Sequence, residues 1–231
     1  PWPVSADGRQ RPAETRVPTV AILPLANLSG DPGREYFSDG ITEDLINALS
    51  RFSGVRVMSH GSVQRFKGRA ASAREIRDEL GARYVVQGSV READGRLRVT
   101  VALSDAESGA QLGSGRHEAQ GAQVFDVQDR IVRDIVGALH VKLTEAEQQR
   151  GFARPTESLE AYDLVLKARA LLARTDRSAN REARTLLSRA AQVAPEYAEA
   201  YTELGFATFQ RVANGWVEDA ALAIAQAEGW A

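Results

Sequence analysis

Residues 23–49 read LPLANLSGDPGREYFSDGITEDLINAL: the end of a strand-like run, a Gly-Asp-Pro-Gly turn and a patterned helix. Phe37, Ile41, Leu45, Ala48 and Phe52 recur at spacings of four, four, three and four, which draws one apolar stripe along a helix, and Gly54 supplies its stop. Strand, turn and helix in this order also fit a phosphate site. A phosphate-gripping loop needs backbone N–H groups aimed at one point and usually a Lys. This turn has Gly30 and Gly33 but no Lys, Pro32 removes a donor, and Arg34 is its nearby cation. The turn therefore reads as a structural corner that starts the helix.

Outward from this corner the periods alternate. Val20, Ile22 and Leu25 within residues 19–28 predict a first strand, and Val55–Met58 a second. Ser72-Ala73-Arg74-Glu75 is a capping box ahead of Ile76 and Leu80, with Gly81 as the helix stop. A strand, an Asp94-Gly95 turn and a second strand alternating Leu97, Val99, Val101 and Leu103 then predict a hairpin, with a further strand after Gly109. From Val124 the period is helical again, with Gln128, Ile131, Ile135 and Leu139 on the same face and Val127, Val132 and Val136 widening it. The order β-α-β-α-β-β-β-α predicts an α/β (α+β) domain with a mixed sheet covered by helices, over residues 18–148.

Composition narrows the function classes. The 231 residues are 43% hydrophobic and 26% charged, with 29 Lys+Arg against 31 Asp+Glu and a formal charge of -2. No global basic surface draws in nucleic acid or anionic lipid, so no nucleic-acid partner is expected. The absence of cysteine excludes disulfides, thiolate zinc sites and cysteine nucleophiles. The apolar stretch from Val17 to Leu28 is interrupted by Pro18 and Pro24, so a membrane is expected only through an anchor upstream of this chain. Residues 1–17 read as a linker, and sixteen extended residues reach about 50 Å.

Gly151 to Pro155 breaks the pattern, and residues 156–231 read as helix throughout with an internal period. Leu164 and Tyr201, Ala168 and Gly205, Leu171 and Thr208, Ala183 and Ala220, Leu187 and Ile224, and Ala190 and Ala227 are pairs 37 residues apart. Ala183, Leu187, Ala190 and Pro195 spell A-x3-L-x2-A-x4-P, and Tyr201-x2-Leu204-Gly205 reads like the opening of a following unit. These resemble tetratricopeptide (TPR) repeats, about two of them with the last truncated, lengthened by three residues between their helices. The end, AALAIAQAEGWA, is apolar on most of its surface, which predicts a longer parent chain or a homodimer through this last helix.

Candidate chemistry is sparse. His60, His117 and His140 lie in separate elements without metal-ligand spacing, and Gly113-Ser114-Gly115 is a small-residue run rather than a nucleophile elbow. Asp39, Glu43 and Asp44 complement the start of their helix. Arg65, Lys67 and Arg69 around Phe66 read as a solvated loop rather than a phosphate or RNA contact. No catalytic residue, metal or cofactor is expected. In a TPR-like array the first helices line a concave groove. The pattern places Tyr162, Val165, Arg169 and Leu172, then Glu199, Thr202, Phe206 and Phe209, on that side, as a surface for a protein or peptide partner. The same aromatics could equally face the preceding domain.

VAILPLANLSGDPGREYFSDGITEDLINALSRF, followed by ELGARYVVQGSVR, LRVTVALSDAESGAQL and VFDVQDRIVRDIV, resembles the TolB amino-terminal-like domain found before TPR repeats in bacterial signalling proteins. Such modules accompany class III adenylate or guanylate cyclase domains and membrane-spanning winged-helix regulators resembling CadC. The resemblance implies a non-catalytic sensory or scaffolding segment, periplasmic or otherwise extracytoplasmic with cytoplasmic as the alternative, whose output domain lies upstream. A different class of function, nucleotide or small-ligand binding by the α/β domain, is the alternative expectation. The Gly113-Ser114-Gly115 run departs from the family, where a Trp and an acidic residue commonly follow the leucine.

Overall fold

The computed structural model describes residues 17–93, 96–120, 124–139, 156 and 158–217. The linker, the Asp94-Gly95 turn, His140, the Gly151–Pro155 break and the apolar end from residue 218 lie outside the described residues. Six strands form one mixed sheet: β1 (Thr19–Ile22), β2 (Ala26–Asn27), β3 (Arg56–Val57), β4 (Tyr84–Ala93), β5 (Arg96–Asp105) and β6 (Gln111–Gln120), in the order β3-β1-β4-β5-β6 with β2 also on β4. β1 lies parallel to β3 and β4, whereas β4, β5 and β6 form an antiparallel meander.

The expected first strand is split in two. Pro24 has no N–H for the ladder, so β1 ends at Ile22 and pairing with β4 resumes at Ala26. Leu23 N–H still reaches the Val86 carbonyl at 2.9 Å and Leu28 N–H the Val90 carbonyl at 2.7 Å, which keeps both pieces on one partner. In β5, Leu97, Val99, Val101 and Leu103 are buried and the residues between them are more open, as period-two alternation requires. The Asp105 carboxylate closes the next turn by accepting from the N–H groups of Glu107 (2.8 Å) and Ser108 (3.0 Å).

Seven helices are described. α1 (Glu35–Ser50) begins after a 3-10 turn at Pro32–Arg34, where Gly33 N–H donates to Asp31 Oδ1 at 2.8 Å. A short α2 (His60–Gln64), capped by Ser59, was not legible in the periodicity, because five residues are too few to show a period. α3 (Ala73–Leu80) carries the expected capping box, and Gly81 ends it in the left-handed region at φ 70. α4 (Val124–Ala138) packs on β5 and β6 and against α1. Three further helices follow: α5 (Leu159–Leu172), α6 (Arg177–Val193) and α7 (Ala198–Ala213). Each of the three touches the other two or its neighbour, and α5 also packs on α1.

Small side chains let the last three helices approach closely: Ala161, Ala168, Ala183, Ala190, Ala200 and Ala207 are fully buried. A buried polar link joins them. Asn180 on α6 donates to the Ala207 carbonyl and to Gln210 Oε1, both at 2.9 Å, and Gln210 on α7 donates to the Leu172 carbonyl at 3.1 Å. Three of these amide hydrogen bonds run between helices, which ties α6 and α7 to the end of α5, while Asn180 Oδ1 is buried without a hydrogen-bond partner among the described residues.

Candidate functional site

The charged and phenolic groups gather along the seam where α1 meets α5. Phe37 begins the apolar part, its ring edge-to-face with Tyr162 at a centroid distance of 6.1 Å and an interplanar angle of 84°. One turn on, α1 carries Gly40, and a Cβ there would lie 2.4 Å from Leu166 Cδ2 of α5. Glycine is therefore what allows the two helices this separation. Gly40→Val is expected to destabilise the protein by about 1–3 kcal/mol through overpacking. Urea titration should return less than half that cost in a Leu166→Ala background, and equal costs in both backgrounds would refute the contact.

At the first end of the seam, Arg34 pairs with Glu92 of β4 and stands 3.7 Å from Asp163 of α5, with its guanidinium 5.3 Å above the Phe37 ring. Tyr36 donates its hydroxyl to Asp163 Oδ1 at 2.7 Å, and Lys167 reaches the same carboxylate at 2.8 Å. Burial, with the Asp163 hydrogen bond and charge, pushes the Tyr36 phenol far above its ordinary range.

The other end centres on Asp44. Tyr162 donates its hydroxyl to Asp44 Oδ2, and Gln128 of α4 donates to the Tyr162 oxygen at 2.9 Å and to Asp44 Oδ2 at 3.3 Å. Arg169 lies 3.7 Å from Asp44 Oδ1 and donates Nε to Glu203 of α7 at 2.7 Å. Groups from α4 and α5 thus converge on one carboxylate of α1, and Glu203 of α7 holds Arg169. Burial raises the Asp44 pKa to about 6, against the hydrogen bond from Tyr162 and the charge of Arg169. For Arg169, burial opposes the charge, yet Glu203, Asp44 and Glu43 together hold it protonated more firmly than usual.

The expected groove residues divide. Tyr162, Val165 and Leu172 are buried and Arg169 belongs to the seam. Glu199 is half-buried and Thr202 is exposed, and Phe206 and Phe209 stand out at 50% and 66% exposure. Asp44 was read only as a helix-start carboxylate. Two signals pointed toward it: Gln128 is a polar residue on an apolar stripe, and Gly40 sits in a helix with no capping task.

The cations around Phe66 are engaged by carboxylates. Lys67 Nζ lies 2.6 Å from Asp39, Arg69 2.9 Å and Arg65 3.6 Å from Glu79, and both guanidiniums stack on the buried Phe66 ring. At the opening turn, Gly33 N–H is taken by Asp31, and Arg34 by Glu92. Among the described residues no group of acidic or histidine side chains is arranged to hold a metal, and no helix is long and apolar enough to cross a membrane.

No family model matches the chain. A Rhizobium meliloti (strain 1021) protein called "Putative adenylate cyclase 3" is 39% identical over 199 residues, 86% of this chain and 34% of that protein. The chain thus spans about a third of that relative. Similar solved structures include lipoprotein GNA1162 from Neisseria meningitidis (19% identical, 55% of this chain and 99% of that one, TM-score 0.40). A PelC dodecamer from Paraburkholderia phytofirmans is 22% identical over 57% of this chain and 94% of its own, also with a TM-score of 0.40. TolB from Acinetobacter baumannii is 17% identical, covering 54% of this chain and 28% of its own, with a TM-score of 0.40.

Proposed function

We propose that this chain is a non-catalytic scaffolding or signal-input segment of a bacterial signalling protein, with a cyclase-type output domain elsewhere in the parent. In this reading a TolB-like mixed-sheet domain spans residues 18–148, a TPR-like array spans 156–231, and the segment works outside the cytoplasm. The observation that carries it is the pair Phe206 and Phe209, three residues apart on α7 and both open to solvent, next to a seam whose charges are already spent on joining helices. Two exposed aromatic rings at helical spacing suit the apolar face of a protein or peptide partner. The relative named for adenylate cyclase supports the signalling context.

Panning a peptide library against the immobilised chain tests the surface. Selected peptides should bind with micromolar dissociation constants, and Phe206→Ala with Phe209→Ala should weaken them at least tenfold while leaving the melting temperature within about 2 °C. Peptides indifferent to the double substitution would refute the surface. Melts in millimolar ATP, GTP or cyclic AMP should show no shift. A ligand at a hundred times its dissociation constant adds about 2.7 kcal/mol, so a clear rise would favour a nucleotide site instead.

A further inference from the structure

Among the described residues β6 pairs with β5 alone and ends the sheet on that side. The opposite end is β3, two residues long, and so short an edge offers little for another strand to pair with. β6 runs for ten residues without a Pro or a Lys, the residues that commonly protect an edge. Its register irregularity lies at the start, between Leu103 and Ser104 of β5, which leaves the ladder from Gly113 to Gln120 regular. A long regular edge of this kind is a template for pairing.

Which backbone groups face outward follows from the alternation of the ladder. Val86 and Val90 accept from Leu23 and Leu28, so the even-numbered residues of β4 turn their amide groups toward β1 and β2 and the odd-numbered ones toward β5. The register then makes Gln87 and Ala102, and Ser89 and Thr100, the bonded pairs, and turns Val99 and Val101 of β5 toward His117 and Gly115. On β6 this leaves Ser114, Arg116 and Glu118 with N–H and C=O directed away from the sheet. None of the three makes a backbone bond elsewhere among the described residues.

Arg116 and Glu118 also share the exposed face of β6, two residues apart and opposite in sign. Arg116 Nη2 and Arg98 Nε both donate to Glu118 Oε1, at 2.7 and 2.9 Å, and Oε2 has no hydrogen bond among the described residues. Hydrogen bonding from Arg116, with the charge of Arg98, holds the Glu118 carboxyl below the usual range, so it is ionised at neutral pH. His117 between them is 10% exposed and lies 3.4 Å from Asp134 of α4, which holds its ring on the other face of the sheet.

We infer that β6 pairs antiparallel with β6 of a second copy of this chain, about a two-fold axis through His117, with Arg116 of each copy opposite Glu118 of the other. Charge and backbone agree on this register. An axis through an outward-silent residue such as His117 makes its two neighbours the bonded pairs, and Arg116 and Glu118 each exchange two N–H···O bonds across it. Opposite charges then face each other directly, and Glu118 Oε2 accepts from the second copy's Arg116. An axis through Gly115 would instead set Leu112 opposite Glu118, and an axis through Arg116 or Glu118 would set like charges face to face. A two-fold contact needs a surface complementary to itself, and an Arg and a Glu two residues apart on an antiparallel edge meet that condition.

Sedimentation of the whole chain between about 5 and 500 µM tests the interface, and a dimer with a dissociation constant of about 100 µM or tighter is expected. Arg116→Glu and Glu118→Arg change exposed side chains, and each should weaken self-association at least tenfold with the melting temperature kept. Mixed together, the two variants again oppose Glu to Arg at both positions, so the mixture should associate at least tenfold more tightly than either variant alone. Arg116→Pro removes an outward N–H without touching the β5 ladder and should abolish the dimer. Phe206→Ala with Phe209→Ala, on α7, should leave it unchanged, which separates this interface from the peptide surface. A monomer at every concentration, a dimer indifferent to the charge reversals or to Arg116→Pro, a mixture no tighter than its components, or a dimer lost with the two α7 rings would each overturn the inference.

Discussion

Tyr162→Ala is expected to lower the unfolding free energy by about 3–5 kcal/mol, the range for deleting a buried aromatic ring. The ring is 1% exposed and packs edge-to-face on Phe37, so its removal leaves a cavity bounded by α1, α4 and α5. Two partners, the buried Gln128 and the partly buried Asp44, lose their hydroxyl as well. Gln128 no longer has the Tyr162 oxygen at 2.9 Å, and Asp44 loses its closest donor. Tyr162→Phe separates the two contributions. It keeps the ring and removes the hydroxyl, at a cost of about 1–3 kcal/mol for the groups left unpaired. Urea titrations of both variants check this, and an alanine variant within 1 kcal/mol of the parent would contradict the seam as described.

The second large effect is on pH. Folding raises the Asp44 pKa from 3.8 to about 6, chiefly by burial. The folded protein therefore holds this proton more tightly than the unfolded chain. Its contribution to stability is fully present below about pH 4 and is lost as the pH rises through 6. At 1.36 kcal/mol per pKa unit, a rise of roughly two units amounts to about 3 kcal/mol. Glu75, Asp105, Glu118 and Asp176 work in the opposite sense, because hydrogen bonds depress their pKa values and their stability is lost as the pH falls. Subtracting the curve for Asp44→Asn isolates the first effect. The difference in unfolding free energy between parent and variant should decline by about 3 kcal/mol between pH 4 and 7 and then level off. A difference that stays flat across that interval would remove Asp44 from the account. Tyr162→Phe should move the same titration upward, since the phenol donates to the carboxylate and favours its charged form.

Both effects reside in residues whose role could not be read locally. Tyr162 has helical spacing with Val165, Arg169 and Leu172, and that spacing says only that the four share a face. Whether the face opens on solvent or closes on another element depends on what packs there. α1 covers it, because Gly40 lets Leu166 approach. Asp44 lies just past the middle of α1, where a carboxylate on an open helix face is ordinarily solvated. It is mostly covered, 18% exposed, because α4 and α5 bring Gln128 and Arg169 against it. Gly113-Ser114-Gly115, a small-residue run after Gly109 in the sequence, lies inside the strand expected there, at the third to fifth positions of β6.

What the sequence by itself determined is the local grammar. The Asp31-Pro32-Gly33 corner, the Ser72–Glu75 capping box, the alternation of β5 and the helical stripe of α1 depend on residues a few positions apart, whose interactions form within one element. Only the tertiary structure decided the split of the first strand between β1 and β2, the covering of Asp44 by α4 and α5, and the exposure of Phe206 and Phe209. These depend on contacts between residues as far apart as Asp44 and Tyr162, 118 positions along the chain. Periodicity specifies which side chains share a face, but burial and protonation are set by the surface that comes to cover it.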